Sequence, residues 1–273
     1  MKNIELIVEE HQNYFMREAF NTLRTNILFS GKEIKTIVVT SCMAHEGKTT
    51  ISFETARSLA ESGKKVLLID ADLRKSVMAS RYTKARGLNG LSQLLSGQVE
   101  SDQAICRTQI EGLDIIFAGP YPPNPTDLVG NPSFKELITS MRELYDYIIV
   151  DAAPLGLVID AAVMASVCDG ALIVINAGNI KYRVAQAVKM QLQKSGCRIL
   201  GVVLNQINRK KNSSTSGAYG SYYSAKYDAE YYGYHDRASQ RHEAASPNAS
   251  FAKTGSAQNH TQHTSTEKSK TKG

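Results

Sequence analysis

Tryptophan is absent from the 273 residues, and no apolar run is long enough to span a bilayer. The most apolar stretch, 148–178, is broken by Asp151, Asp160 and Asp169. The N-terminal MKNIELIVEEH is acidic where a secretory leader is basic, so the chain is expected to be cytoplasmic and not to cross a membrane. Cysteine is sparse as well. Cys42, Cys106, Cys168 and Cys197 form no C-x-x-C pair and no Cys/His spacing of a zinc site, which leaves thiolate-bound metal without support; they read as buried, reduced thiols. A strong charge imbalance is also missing from the body of the chain. Half of the formal +6 comes from residues 235–273, where Arg237, Arg241, Lys253, Lys268, Lys270 and Lys272 outweigh Asp236, Glu243 and Glu267 by three. Outside that region the one short basic run, Arg209, Lys210 and Lys211, reads as a solvated strand exit. A nucleic-acid footprint needs cations clustered on one face, so no nucleic-acid partner is expected.

Residues 235–273 have little that a core requires. They are mostly Ser, Thr, Ala, Gln, Asn, His and Lys with Phe251 as the sole aromatic, so they are expected to be a disordered polar tail. The remainder accounts for most of the 42% hydrophobic content. Ile-, Val- and Leu-rich runs at 34–41, 64–72, 112–119, 145–153, 171–178 and 199–207 alternate with segments of helical length at 48–62, 132–144 and 181–195. That rhythm predicts βαβ units, and strands apolar on both faces predict helices on both sides of a mostly parallel sheet. The expected fold is one doubly wound α/β domain over 33–208. A helix near 14–29, within an N-terminal segment 1–32, precedes it, and residues 209–234 follow.

The first strand runs into TSCMAHEGKTT and then a helix, the context of a phosphate-binding loop. Cys42, Met43, Ala44, His45, Glu46, Gly47, Lys48, Thr49 and Thr50 form the candidate loop. Lys48 is placed for terminal phosphates and Thr49 for Mg²⁺. Cys42 stands where G-x-x-x-x-G-K-[ST] has its first Gly. Asp70 and Asp72 end the second strand and Asp151 ends the fourth, so three acids and one lysine converge on the sheet edge where open α/β sheets bind ligands.

The loop, the D-x-D with following Arg74, Asp151 with Pro154, the segment GPYPPNPTDLV at 119–129 and the tyrosine-rich 217–236 together resemble the bacterial tyrosine kinases. They are most similar to the cytoplasmic kinase subunits of capsular and extracellular polysaccharide synthesis in Gram-positive-type bacteria. The resemblance implies a P-loop NTPase fold, ATP and Mg²⁺ as cofactors, and autophosphorylation of Tyr219, Tyr222, Tyr223, Tyr227, Tyr231, Tyr232 and Tyr234. Thr49, Asp70 and Asp151 would serve the metal. Asp70 or Asp72 would orient or deprotonate the phenol, Arg74 would meet transition-state oxygens and Asn205 the adenine. It also implies a membrane-embedded activator of polysaccharide co-polymerase type that recruits the chain to the inner face of the membrane, a cognate tyrosine phosphatase, and ring-like self-association through the N-terminal helix.

Two positions depart from the family pattern. His45 replaces a glycine expected to adopt φ > 0. In the helical E-x-x-R-x-x-R, Glu18 and Arg24 are kept but Asn21 takes the middle Arg position. A Min- or partition-type ATPase has the same fold, but it carries an early loop lysine where Met43 stands and lacks the tyrosines. A scaffold weakened in catalysis by His45 is the other alternative.

Overall fold

The computed structural model describes residues 1–8 and 14–207. Eight strands form one sheet: β1 (Lys2–Asn3), β2 (Thr36–Ser41), β3 (Val66–Asp70), β4 (Ile105–Arg107), β5 (Leu113–Ile116), β6 (Tyr147–Asp151), β7 (Gly170–Asn176) and β8 (Arg198–Asn205). Their order is β1-β4-β5-β3-β6-β2-β7-β8, and every neighbouring pair is parallel except β4 with β5. The helices are α1 (Tyr14–Phe29), α2 (Lys48–Glu61), α3 (Met78–Tyr82), α4 (Leu91–Leu95), α5 (Ser101–Ala104), α6 (Pro125–Gly130), α7 (Pro132–Met141), α8 (Asp160–Ala165) and α9 (Tyr182–Lys194).

The two-residue period of the central strands divides the interior into two cores. Val38, Leu67, Ile69, Ile148 and Val150 point to one face, where they meet Phe134 and Ile138 of α7, Met164 of α8 and Leu192 of α9. Ile37, Val39, Leu68 and Ile149 point to the other, against Ile27 of α1 and Phe53 and Leu59 of α2. Phe53 stacks on Tyr82 with ring centroids 3.9 Å apart. The sheet is doubly wound, as its apolar strands require.

The strand runs and the helices from 14, 48, 132 and 181 onward appear where the sequence puts them, with strand ends shifted by up to three residues. The first eight residues were not foreseen. β1 pairs with β4, Ile4 N–H donates to the Arg107 carbonyl (2.9 Å), and Ile4 and Leu6 are buried. The segment 1–32 is therefore a strand and a helix, both packed on the domain. Arg24 of α1 donates from Nη1 to the Ser58 carbonyl (3.1 Å) and hydroxyl (3.2 Å) of α2. Asn21 Nδ2 lies 3.4 Å from Glu18 Oε2. All four cysteines are free thiols, with Cys168 only partly buried. Among the described residues no helix is long and apolar enough to cross a membrane. The seven candidate acceptor tyrosines, the basic run 209–211 and the polar tail lie outside the described residues.

Candidate functional site

Parallel strands deliver their C-terminal ends to one edge, and β2, β3 and β6 are adjacent there. Asp70 and Asp151 are direct partners in the register of β3 and β6. The loop between β2 and α2 closes over this edge, with Gly47 in the left-handed region (φ 87°) and α2 starting at Lys48. The positive φ favours glycine, and a Cβ on Gly47 would lie 2.1 Å from Asn205 Nδ2, so a side chain here would be strained and would displace the Asn205 amide. His45 also has positive φ, 64°. Cys42 is not in that region, which is why a side chain is accepted where the motif has glycine. The space is needed at Gly156 instead, where a Cβ would lie 2.0 Å from the Cys42 carbonyl oxygen. Burial and the Glu46 carboxylate push the Cys42 thiol up to about 11, so it is neutral.

The loop is braced from the β7–β8 edge. Buried Glu46 accepts from the Met43 N–H (2.6 Å) and the Asn176 N–H (3.0 Å). Asn205 Nδ2 donates to the Glu46 carbonyl (2.9 Å), and Gln206 Nε2 donates to the His45 carbonyl (3.0 Å). Asn176 Nδ2 holds Gln206 Oε1 at 2.5 Å. Of the candidate loop residues, Glu46 and Cys42 thus turn into the protein, while Met43, Ala44 and His45 are exposed. Thr50 accepts from Arg81 Nη1 (2.7 Å).

Lys48 Nζ is 2.9 Å from Asp72 Oδ2, 3.4 Å from Thr49 Oγ1 and 3.7 Å from Asp151 Oδ1. Burial opposes its charge, but Asp151 and Asp72 outweigh burial and hold its pKa above the usual lysine value. Asp151 Oδ1 accepts from Ser52 Oγ (3.0 Å), and Asp70 accepts from Ser76 Oγ. Asp70 Oδ1 and Asp151 Oδ2 are buried without any hydrogen-bond partner. Burial, reinforced by Asp151, pushes Asp70 up to about 7; burial also raises Asp151, partly offset by Lys48. Two buried carboxylate oxygens beside a lysine, with no donor of their own, form an arrangement that demands a cation.

Asp72 and Lys48 line a cavity of about 250 Å³ together with Gly47, Thr49, Ala153 and Pro154. Arg74 reaches the same cavity, but its guanidinium forks onto Asp160 (Nε–Oδ2 2.6 Å, Nη2–Oδ1 3.2 Å) and donates to Thr126 (2.7 Å). Burial would raise the Asp160 carboxyl, but the hydrogen bonds from Arg74 and Thr126 win and lower it. The structure therefore brings Lys48, Thr49, Asp70, Asp72 and Asp151 together, engages Arg74 on its own carboxylate, and commits the Asn205 amide to the loop backbone. Ser52, Ser76, Asn176 and Gln206 escaped the sequence reading. They are common polar residues in no spacing pattern, and only the fold brings them to the loop and its acids.

A model of the AAA domain family matches residues 34–196. The chain is similar to tyrosine-protein kinase CpsD of Streptococcus agalactiae, 44% identical over 205 residues that cover 75% of this chain and 89% of that protein. Tyrosine-protein kinase CpsD of Streptococcus pneumoniae is 42% identical over 206 residues, 75% and 91% of the two chains. Among solved structures, the kinase domain of Escherichia coli tyrosine kinase ETK superposes with a TM-score of 0.68 at 32% identity, over 75% of this chain and 80% of that one. The septum site-determining protein MinD from Pyrococcus horikoshii, complexed with Mg-ADP, gives 0.55 at 28%, over 64% and 72%.

Proposed function

This chain belongs to the bacterial tyrosine-protein kinases and is a protein-tyrosine kinase, and from that premise we propose that it moves the γ-phosphoryl group of ATP to tyrosines of its own C-terminal segment. The observation that carries the reading is Lys48 held between Asp72 and Asp151, beside the unpartnered oxygens of Asp70 and Asp151. Those two oxygens and the Thr49 hydroxyl fit Mg²⁺, which takes one or two carboxylates and completes its shell with phosphate and water. When bound, the ion would neutralise charge on the phosphates.

The protein's own contribution is positioning. Lys48 exchanges its carboxylate partners for terminal phosphate oxygens, and the N–H groups of the loop and the first turn of α2 receive the rest. Asp72 lines the cavity whereas Asp70 is buried behind it, which supports Asp72 as the group that orients the phenol and Asp70 as a member of the metal pair. A base adds only modestly for a phenol of pKa near 10, since positioning and charge neutralisation dominate phosphoryl transfer. Arg74, fixed by Asp160, acts as a wall of the site that can approach the transferred group. Asn205 acts on nucleotide through the loop it braces.

The capsule- and exopolysaccharide-linked role is part of the same reading, as are recruitment to the inner membrane face by a co-polymerase-type activator, a cognate phosphatase and ring-like self-association. These rest on the resemblance in motifs and on the tyrosine-rich sequence at 217–236. The MinD likeness lies in the fold, and exposed Met43 stands where such switches carry a lysine. Mass spectrometry of the purified full chain after Mg-ATP tests the proposal. Phosphate is expected on Tyr219 to Tyr234 in the wild type and on none of them in Lys48→Met, whose helix propensity is unchanged. Undiminished phosphotyrosine in a cleanly purified Lys48→Met would refute it.

A further inference from the structure

Phosphates ask for cations and N–H groups, yet the cavity beside Lys48 has an apolar wall. Pro154, Leu157 and Val158, which follow β6, share it with Val77. Leu157 is 54% and Val77 37% exposed, so the described fold leaves this wall uncovered. It adjoins Lys48 and Asp72, the end of the site where the terminal phosphate and its acceptor meet, and an aromatic ring is the part of the reactants that matches it. The rim has a different character. Lys75 and Arg81 line the same cavity, and among the described residues neither is ion-paired; Arg81 donates to the neutral Thr50 hydroxyl. The lining carboxylate, Asp72, is already paired with Lys48, and Arg74 is neutralised by Asp160. Among the residues that line the cavity, the charges left without an ion-pair partner are the positive ones of Lys75 and Arg81, with the buried carboxylates of Asp70 and Asp151 lying behind the lining.

The candidate acceptors divide by their neighbours. Tyr227, Tyr231, Tyr232 and Tyr234 each have Asp228, Glu230 or Asp236 within two residues. Tyr219, Tyr222 and Tyr223 have only Gly, Ala, Ser and Tyr at that range. We propose that the cavity is an acceptor subsite selective for tyrosines with a carboxylate within two residues, the ring against Val77, Pro154 and Leu157 and the carboxylate at Lys75 and Arg81. Residues 227–236 are its substrate. This selectivity rests on the kinase reading above.

The test uses the full chain, Mg-ATP and synthetic peptides with one tyrosine each: residues 224–230 (SAKYDAE), the same peptide with Asp228→Asn and Glu230→Gln, and residues 215–221 (TSGAYGS). The acidic peptide is expected to show a kcat/KM about fivefold above the other two, the scale of one or two exposed charge contacts. The advantage should shrink in about 0.5 M salt, and Lys75→Glu should reverse it through the peptide KM. In parallel, a time course on the full chain alone should show phosphate on Tyr227, Tyr231, Tyr232 and Tyr234 before Tyr219, Tyr222 and Tyr223. Equal kcat/KM values, a preference indifferent to both salt and Lys75→Glu, or early labelling of Tyr219, Tyr222 and Tyr223 overturns the selectivity. If the peptides are not turned over, the time course decides. Absence of phosphotyrosine from every species would instead overturn the kinase reading.

Discussion

His45 and Gln206 are the two non-glycine residues with positive φ among the described residues, at 64° and 56°, and they are hydrogen-bonded to each other. A side chain in the left-handed region costs roughly 1 kcal/mol, so the loop tip is held in a conformation it would not choose alone. His45→Gly is expected to raise thermal stability or nucleotide affinity by about that amount. Gln206→Ala should weaken nucleotide binding in the wild type and do much less in the His45→Gly background, a coupling that a double-mutant cycle by nucleotide titration measures. Equal effects in both backgrounds would mean that Gln206 does not position the loop. Asp70 supplies a second test. Its carboxyl rises from an ordinary 3.8 to about 7 on folding, so between about pH 4 and 7 the folded state keeps a proton that the unfolded chain releases. Stability without nucleotide should therefore fall as pH rises through that window, and Asp70→Asn should flatten the slope in melts at a series of pH values. The positive φ at position 45 was legible, because a histidine replaced the glycine that the loop needs. Gln206 was not, because its conformation and its partner are fixed by the packing of β8 beside β7.

At the scale of elements, the long apolar strands and the four long helices could be read because each buries a continuous face, and the sequence period reports burial. β1 and β4, at two and three residues, are too short to show any period and exist because the sheet has an edge to extend. α3 to α6 are likewise single turns or little more, set by the loops that carry them. The carboxylate cluster was visible as three strand-end acids, but which of them faces the cavity was not, since that depends on how the loop after β3 folds back so that Lys75 N–H caps Asp72. Helix α1 also acquires a meaning the pattern did not show. Its Arg24 is bound to α2 at Ser58, so Arg24→Ala is expected to cost about 1.5–3 kcal/mol as a lost charge-assisted hydrogen bond. That corresponds to a melting temperature lower by roughly 3–12 °C for a domain of this size, and an unchanged melting temperature would leave the residue free for assembly alone.

For the whole molecule, charge is the quantity that phosphorylation changes most. Each phosphate adds about −1.5 to −2, so modification of all seven candidate tyrosines turns a chain of formal +6 into a net anion. The dephosphorylated protein is expected to self-associate and the phosphorylated protein to be monomeric, compared by light scattering at equal concentration. Equal masses would exclude phosphate-controlled assembly. The brace between β8 and the phosphate loop matters on this scale too. Asn205 and Gln206 clasp the carbonyls of Glu46 and His45, and Ile207 is the next residue of the chain. The described chain thus ends one residue beyond the clasp that keeps the nucleotide loop in place. In mechanical terms the nucleotide loop and the chain's exit from the sheet hang on a single post.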